Sequence, residues 1–338
     1  MNYHQIKTVF EHASSLGIKG EFARAKSVLK WLVVNTKGYD GLHYKSGISL
    51  ACVYKKTLRR DSARKVYEYM IEYFKNSPRV LSLLYMDMAV LAIQNGELGE
   101  AEKSAKYSRD YDESEYTKLQ KWYYLMLDGR YEALRGNYSE SNDKLKKAWT
   151  CCEGKTIVYQ KMQVASNIGD NYVEMGDIEN GAQLVRNAYR IAFKIGAQEW
   201  YARNALVLMG ISLSQDDVQA AKKYGKACFY VSYRNGYEDI VQKAAKKVGD
   251  YYKSRSNNEV ADYFYKKAVF AIKVEPKELL RRIDTLFDTT YSRRKCCLRY
   301  KYDGCEWVKE SDGAAEYCGK RYSIKANYRF HIGNLNSR

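Results

Sequence analysis

The sequence contains only two prolines, Pro78 and Pro276, among its 338 residues. Proline breaks the interior of a helix, so its absence from the long stretch between these two positions leaves that stretch free to be helical. Alternating runs rich in valine and isoleucine are nearly absent before residue 295, whereas alanine, leucine, lysine, glutamate and tyrosine dominate. The composition therefore predicts an all-α protein.

Long hydrophobic runs and targeting signals are also missing. No segment approaches the ~20 consecutive apolar residues of a membrane span. The beginning, MNYHQIKTVFEHASS, lacks the basic start and apolar centre of a signal peptide. We therefore expect a cytoplasmic protein without a membrane partner, and the eight cysteines agree with a compartment in which free thiols persist.

Catalytic motifs are lacking as well. The four histidines are scattered, and no GxxxxGK[ST], GxSxG or HExxH sequence occurs. We therefore expect no enzymatic activity, no catalytic residues and no cofactor. Five C-terminal side chains have the chemistry of zinc ligands, but they form no CxxC pair and predict no metal site. They are Cys296, Cys297, Cys305, Cys318 and His331.

The sequence does contain a repeat. Small residues recur after each polar turn with spacings of 38, 38, 40, 40, 39 and 41 residues, at Ala25, Ala63, Ala101, Ser141, Gly181, Ala220 and Ala261. Twelve residues before each lies a second series, at Ala13, Ala51, Ala89, Gly129, Gly169, Leu208 and Gly249. This pattern predicts units of two antiparallel helices that approach each other closely at small side chains. The exception, Leu208, indicates a local shift of register.

The units resemble the tetratricopeptide repeat. One unit fills the small, aromatic and large positions of that family with Gly169, Tyr172, Gly181, Val185 and Ala188. The resemblance covers about residues 6 to 275 and implies a right-handed superhelical solenoid of about seven helix pairs, an all-α fold. Within an array of residues 1–275, the predicted units lie near 6–39, 44–77, 82–115, 122–155, 162–195, 201–234 and 242–275.

The units are longer than those of the family, because four to seven residues separate successive 34-residue units. This lengthening is similar to the repeats of Gram-positive peptide-pheromone receptors of the Rap, PlcR and AimR kind, and to those of large bacterial transcriptional activators. The first likeness implies a bacterial quorum-sensing regulator that responds to a short peptide. The family tryptophan at position 4 is missing.

Beyond Pro276 the composition and the periodicity of the sequence change. Residues 276–294 are amphipathic and predict a helix that caps the last repeat. Residues 295–338 are rich in cysteine, tyrosine and basic residues, and carry two Asp-Gly turns that are hairpin signals. We expect a small β appendage or a disordered tail there.

The first helix of each unit should line the concave groove of the solenoid. In such a groove an asparagine amide can bind a peptide backbone, and arginine or lysine can bind a carboxylate. Tyrosine can stack on a peptide side chain. The predicted binding residues are Lys45, Tyr123, Arg130, Gln163, Asn167, Asp170, Lys243, Lys246 and Lys247.

Two functions remain open from the sequence. The first is a non-enzymatic scaffold or regulator that binds a peptide or protein segment in the groove, in its sharper form a cytosolic peptide-responsive regulator of transcription or signalling. The alternative is a nucleic-acid-binding or transcription-linked protein, because the formal net charge is +17 and the C-terminal segment is basic. The sequence also leaves open whether the array forms a homodimer.

The register predicts a specific property of Gly181. Alanine is the commonest residue at the equivalent positions of the other units and favours helix over glycine by roughly 1 kcal/mol. We therefore expect the substitution Gly181→Ala to be mild or stabilising.

Overall fold

The computed structural model describes residues 2–18, 20–111, 116–152, 157–269, 300–302 and 307–309. The predicted capping helix and most of the C-terminal segment, with its candidate zinc ligands, lie outside these residues. Within them the chain forms fourteen helices and two three-residue strands. The strands β1 (Tyr300–Tyr302) and β2 (Trp307–Lys309) pair antiparallel on either side of Asp303-Gly304.

The helices alternate between a first and a second member of each pair. The first helices are α1 (Tyr3–Ile18), α3 (Asp40–Lys56), α5 (Pro78–Gln94), α7 (Lys118–Leu134), α9 (Ile157–Glu174), α11 (Gln198–Ser214) and α13 (Glu238–Ser254). The second helices are α2 (Phe22–Asn35), α4 (Arg60–Tyr73), α6 (Leu98–Arg109), α8 (Tyr138–Thr150), α10 (Ile178–Lys194), α12 (Val218–Arg234) and α14 (Asn258–Val269).

Most helices pack against both of their neighbours in the chain, and most first helices also meet the next first helix; side-chain ion pairs, Arg109–Asp128 and Lys55–Asp87, link α6 with α7 and α3 with α5. The chain is therefore an all-α solenoid of seven tetratricopeptide-like helix pairs. Its core runs along the array and is built from alanine, leucine and tyrosine side chains such as Ala51, Leu84 and Tyr131, each at most 1% exposed. Among the helices described, none has the length and apolar character that crossing a bilayer demands.

The turn inside each pair follows one rule. The first helix is followed by a residue with positive φ, which closes the helix in a left-handed conformation. These residues are Gly20, Leu58, Gly96, Gly136, Gly176, Asp216 and Ser256. From Gly96 onward they recur every 40 residues, so the last five units follow one another with a single period.

The structure shifts the register of the sixth unit by one residue. Ala221 is completely buried, whereas the predicted small residue, Ala220, is only half-buried. Its partner on the preceding helix is Met209, whose Sδ lies 3.3 Å from the Cβ position of Gly225. Residues 209 and 221 each lie 40 positions after Gly169 and Gly181. The slip of register that Leu208 indicated is therefore a single residue.

The predicted units begin inside helices of the structure. Each first helix begins three to five residues before the corresponding predicted unit, as Asp40 does for the unit near 44–77 and Glu238 for that near 242–275. The extra residues that separate successive units lengthen the first helices at their N-termini. They place additional side chains, such as Glu199 and Asp239, on the inner surface described below.

The contact at Gly181 contradicts the expectation that alanine would be tolerated there. In this unit both helices carry glycine at the crossing, and a Cβ atom on Gly181 would lie 2.7 Å from the backbone oxygen of Gly169 and 2.9 Å from the backbone nitrogen of Val173. Backbone atoms cannot turn aside as the end of a side chain can. The other units have at least one Cβ at this crossing, so their alanines did not predict the room available between two glycines.

We therefore expect Gly181→Ala to lower the free energy of unfolding by about 1–3 kcal/mol, because α9 and α10 must separate to admit the methyl group. Urea denaturation measures the change. The matched control is Gly99→Ala, since a Cβ on helical Gly99 meets nothing within 4 Å; this change should be neutral or stabilising by up to ~1 kcal/mol. Equal effects of the two substitutions would contradict the close crossing.

Candidate binding site on the inner surface

The two ends of the described array touch each other. The backbone of Gly20, between α1 and α2, lies against that of Asn235, because a Cβ on Gly20 would be 2.4 Å from the Asn235 Cα. Next to them the rings of Phe22 and Tyr237 pack with their centres 6.0 Å apart. We call these contacts, together with the ion pair between Lys56 and Glu199, the clasp. It closes the solenoid on itself and encloses its inner surface.

An ion pair between α3 and α11 completes the clasp. Lys56 Nζ lies 2.5 Å from Glu199 Oε2, although the two residues are 143 positions apart. The same ammonium group lies 5.5 Å from the centre of the Tyr237 ring and 5.9 Å from that of Phe22. Cation–π and ionic contacts therefore hold Lys56 at the point where the ends meet.

The ion pair continues into a network along the inner surface. Arg203 Nε donates to Glu199 Oε1 at 3.1 Å, and its terminal nitrogen donates to Asp239 Oδ2 at 3.0 Å. Burial alone would raise the pKa of Glu199, but Lys56 and Arg203 outweigh it and lower that pKa to about 2. This contribution to stability is present above the ordinary glutamate pKa, 4.5, and is lost as the pH falls toward 2.

Two further cations face this network without an ion-pair partner in the described part of the chain. They are Arg130 of α7 and Lys243 of α13. Desolvation by the surrounding protein, and then the charge of Arg203, lower the pKa of Arg130. Desolvation, Arg203 and Arg130 together lower the pKa of Lys243 to about 8, although its side chain is open to water. Three cations from three helices therefore repel one another in a space that solvent can enter.

Asp170 and Lys247 lie beside these cations. Asp170 is open to solvent, yet desolvation and Glu174 raise its pKa in spite of the opposing charges of Lys247 and Lys243. The aliphatic chain of Lys247 lies over Gly210, with its Cδ 3.3 Å from the Cβ position of that glycine. We define the inner cluster as eight residues with five cations and three carboxylates, a net charge of +2 (5 − 3): Lys56, Arg130, Asp170, Glu199, Arg203, Asp239, Lys243 and Lys247.

The other predicted residues take different positions. The Nδ2 atom of Asn167 donates to the backbone oxygen of Gln163 at 3.1 Å, so it is engaged within its own helix. The side-chain oxygen of Gln163 is buried and has no hydrogen-bond partner among the described residues. The hydroxyl of Tyr123 donates to Asp87 at 2.8 Å. Lys45 is half-buried on α3, and Lys246 is exposed on α13.

Sequence reasoning missed four members of the inner cluster: Lys56, Glu199, Arg203 and Asp239. For Arg203 the missing signal was the register of the sixth unit. With that register corrected, Arg203 occupies the position that Gln163 and Lys243 hold in the neighbouring units, 40 residues to either side. For Lys56 and Glu199 no signal was present, because a repeat period reports contacts between neighbouring units only.

The described residues do not form a candidate metal site. No group of three or more histidine, cysteine or carboxylate side chains forms a candidate metal site in the described ranges. Four cysteines in those ranges are free thiols: Cys52, Cys151, Cys152 and Cys228. Burial raises the pKa of Cys228 to about 12, which keeps that thiol protonated.

Comparisons with known proteins found similar structures but no related sequence. No protein-family model matches the chain. No curated protein matches it.

Three solved structures are similar in part. One is a signal transduction ATPase with numerous domains that has a tetratricopeptide repeat sensor, from Pyrococcus horikoshii: TM-score 0.49, 15% identity, 81% of this chain covered, and 49% of the other. This chain thus spans about half the length of that protein. The second is BtubC (BKLC) from P. vanneervenii: TM-score 0.36, 12% identity, 88% and 98% covered. The third is the C-terminal part of a TPR repeat-containing protein from Cytophaga hutchinsonii: TM-score 0.31, 18% identity, 80% and 98% covered.

The clasp can be tested by adding one methyl group. Gly20→Ala should open the array, because its Cβ would collide with the backbone of Asn235. We expect a larger radius of gyration in small-angle X-ray scattering and a lower melting temperature. Gly38→Ala is the matched control: Gly38 also has a positive φ, 88° against 76° for Gly20, but nothing lies within 4 Å of its Cβ position. If both variants keep the native radius of gyration, the ends do not meet as described.

Proposed function

We propose that this protein is a non-enzymatic scaffold whose enclosed inner surface binds an extended, acidic segment of a peptide or protein. The observation that carries the proposal is the pair of unpaired cations, Arg130 and Lys243, beside Arg203. Crowding of like charge costs free energy in the free protein. A carboxylate placed among these groups relieves that cost and accepts charge-assisted hydrogen bonds from them.

The surroundings of the cations favour a peptide as the ligand. The buried, unpartnered oxygen of Gln163 is an acceptor for a peptide N–H group, and Lys243 lies at the corresponding position two units later. Polar side chains that recur at equivalent positions along the array can bind the regularly spaced backbone groups of an extended peptide. The net charge of the inner cluster, +2, favours acidic side chains or a terminal carboxylate on that chain.

In its sharper form the proposal is a cytoplasmic, peptide-responsive regulator. A ligand that neutralises the inner cluster changes the charges that Glu199 and Asp239 share with Arg203, and Glu199 also holds Lys56 in the clasp. Ligand binding and closure of the array are therefore coupled through one chain of ion pairs. Free thiols such as Cys52 and Cys228 are stable in a reducing compartment.

Binding can be tested with a fluorescein-labelled ten-residue peptide of alternating glutamate and serine, with a glutamine-serine peptide as its neutral counterpart. Fluorescence anisotropy should show binding of the glutamate peptide only. Arg130→Gln and Lys243→Gln should each weaken it roughly tenfold or more, because each removes a hydrogen bond to a charged group. Lys194→Gln, a change at an exposed lysine on α10, is the matched control and should leave binding unchanged.

The same assay distinguishes the competing class. Duplex and single-stranded DNA should not displace the peptide, and their binding should be unaffected by Arg130→Gln. If DNA binds with a steep salt dependence that Arg130→Gln and Lys243→Gln abolish, the inner surface is a polyanion site and the peptide proposal is wrong.

The pKa of Lys243 gives an independent prediction. The ammonium form binds the acidic peptide, and it predominates in the free protein only below a pH of about 8. Raising the pH from 7 to 9 should therefore weaken binding about tenfold as the free lysine loses its proton. Lys243→Arg keeps its charge throughout this range and should remove most of the pH dependence. An equal pH dependence in wild type and Lys243→Arg would show that Lys243 is not in the site.

A further inference from the structure

A second concave surface lies outside the inner cluster, in the first two units. It is a cavity of about 370 Å³ between α2 and α4, and Leu50 and Tyr54 of α3 lie beneath it. Both of these residues are at most 7% exposed, so they form a fixed apolar floor. We call this surface the outer groove.

The walls of the outer groove have the spacing of helical stripes. One wall consists of Lys30, Val33 and Val34 of α2 together with Lys37 in the turn that follows α2, and the other of Ser62, Lys65, Val66 and Tyr69 of α4. The α4 residues follow the i, i+3, i+4, i+7 pattern of one helix face, and since seven residues of helix rise about 10 Å, that wall runs along two helical turns. Lys30 lies at one end of the first wall, and Lys37 lies at the other end, just beyond the C-terminus of α2.

The charges around the groove are of one sign. Lys30, Lys37 and Lys65 are exposed, no acidic residue lines the groove, and none of the three lysines has a salt-bridge partner within the ranges described. The gap between α4 and α6 is different. There Arg64 pairs with Glu97, and Arg60 donates to the backbone oxygen of Gln94 at 3.2 Å. The cavity in that gap is only about 50 Å³.

An exposed valine marks the rim of the groove. Val34 is 67% exposed, although it lies within four residues of Lys30 and Lys37 and beside a cavity with an apolar floor. Burying such a side chain against a partner removes apolar surface from water and therefore favours association. Three unpaired lysines around it supply long-range attraction and a preferred orientation for an acidic partner.

We propose that the outer groove binds an acidic amphipathic helix of a protein partner. The complementary face has large apolar residues at two adjacent positions, i+3 and i+4, which enter the cavity above Leu50. Acidic residues at i and i+7 lie about 10 Å apart along that helix and pair with Lys30 and Lys37, while Lys65 holds the opposite side. This is helix-in-groove recognition, at a site distinct from the inner cluster.

The probe is a synthetic 16-residue helical peptide with glutamate at i and i+7 and leucine at i+3 and i+4. Its controls are a scrambled peptide of the same composition and a version with lysine in place of glutamate. We expect binding of the first peptide alone. The triple variant K30E, K37E, K65E should weaken that binding at least tenfold and should instead bind the lysine version. The matched triple variant K103E, K194E, K253E changes the net charge equally at exposed lysines elsewhere and should bind as wild type does.

Two further variants separate this site from others. Val34→Asp should weaken binding of the helical peptide by a similar factor, whereas Arg130→Gln on the inner surface should not change it. Circular dichroism of each variant checks that the fold is retained. The proposal is overturned if the scrambled peptide binds equally well, or if the groove variants have no effect. It is also overturned if vesicles of anionic phospholipid or duplex DNA bind this groove and displace the peptide.

Discussion

The close crossing of two helices at small side chains determines the rest of this structure. Within each unit the approach of the two helices depends on a few atoms, and where Gly169 meets Gly181 the two backbones leave no room for a Cβ atom. The separation of the two helices determines the orientation of each helix pair relative to the next. A small change of this orientation in every unit would add up over seven units. The five units that share a 40-residue period stack with a regular step, and this step brings α13 back to α3.

Closure of the array changes the electrostatic environment of the charged side chains on the first helices. In an open solenoid, Arg130 and Lys243 would be surface cations well screened by water. In the closed array they share an enclosed space with Arg203, and desolvation together with mutual repulsion lowers the pKa of both. The carboxylates of Glu199 and Asp239 compensate Arg203 and Lys56 but leave the other two cations unpaired. The contacts that close the array thus also bring these cations together.

The sequence was sufficient for the pairing of helices and the fold class, because both follow from local periodicity that residues such as Gly129, Gly169 and Gly249 make visible. It also assigned Arg130, Asp170 and Lys243 to the groove; the structure places them near a common set of charges, and their role in binding stays a prediction. It failed at Gly181, where the fit depends on the glycine opposite, and at Arg203, where one residue of slip hid a repeated position. The Lys56–Glu199 contact could not be predicted from the sequence, because a repeat period indicates contacts only between adjacent units.

The clasp has a kinetic consequence. A segment bound in an open groove can leave sideways, so its residence time follows from the strength of its own contacts. A segment bound inside the closed array, as proposed, would have two exits: it would slide out lengthwise, or it would leave when the Lys56–Glu199 ion pair opens. Its lifetime then depends on an opening rate that belongs to the protein, and ligands of very different affinity exchange at similar speeds when opening is the slow step.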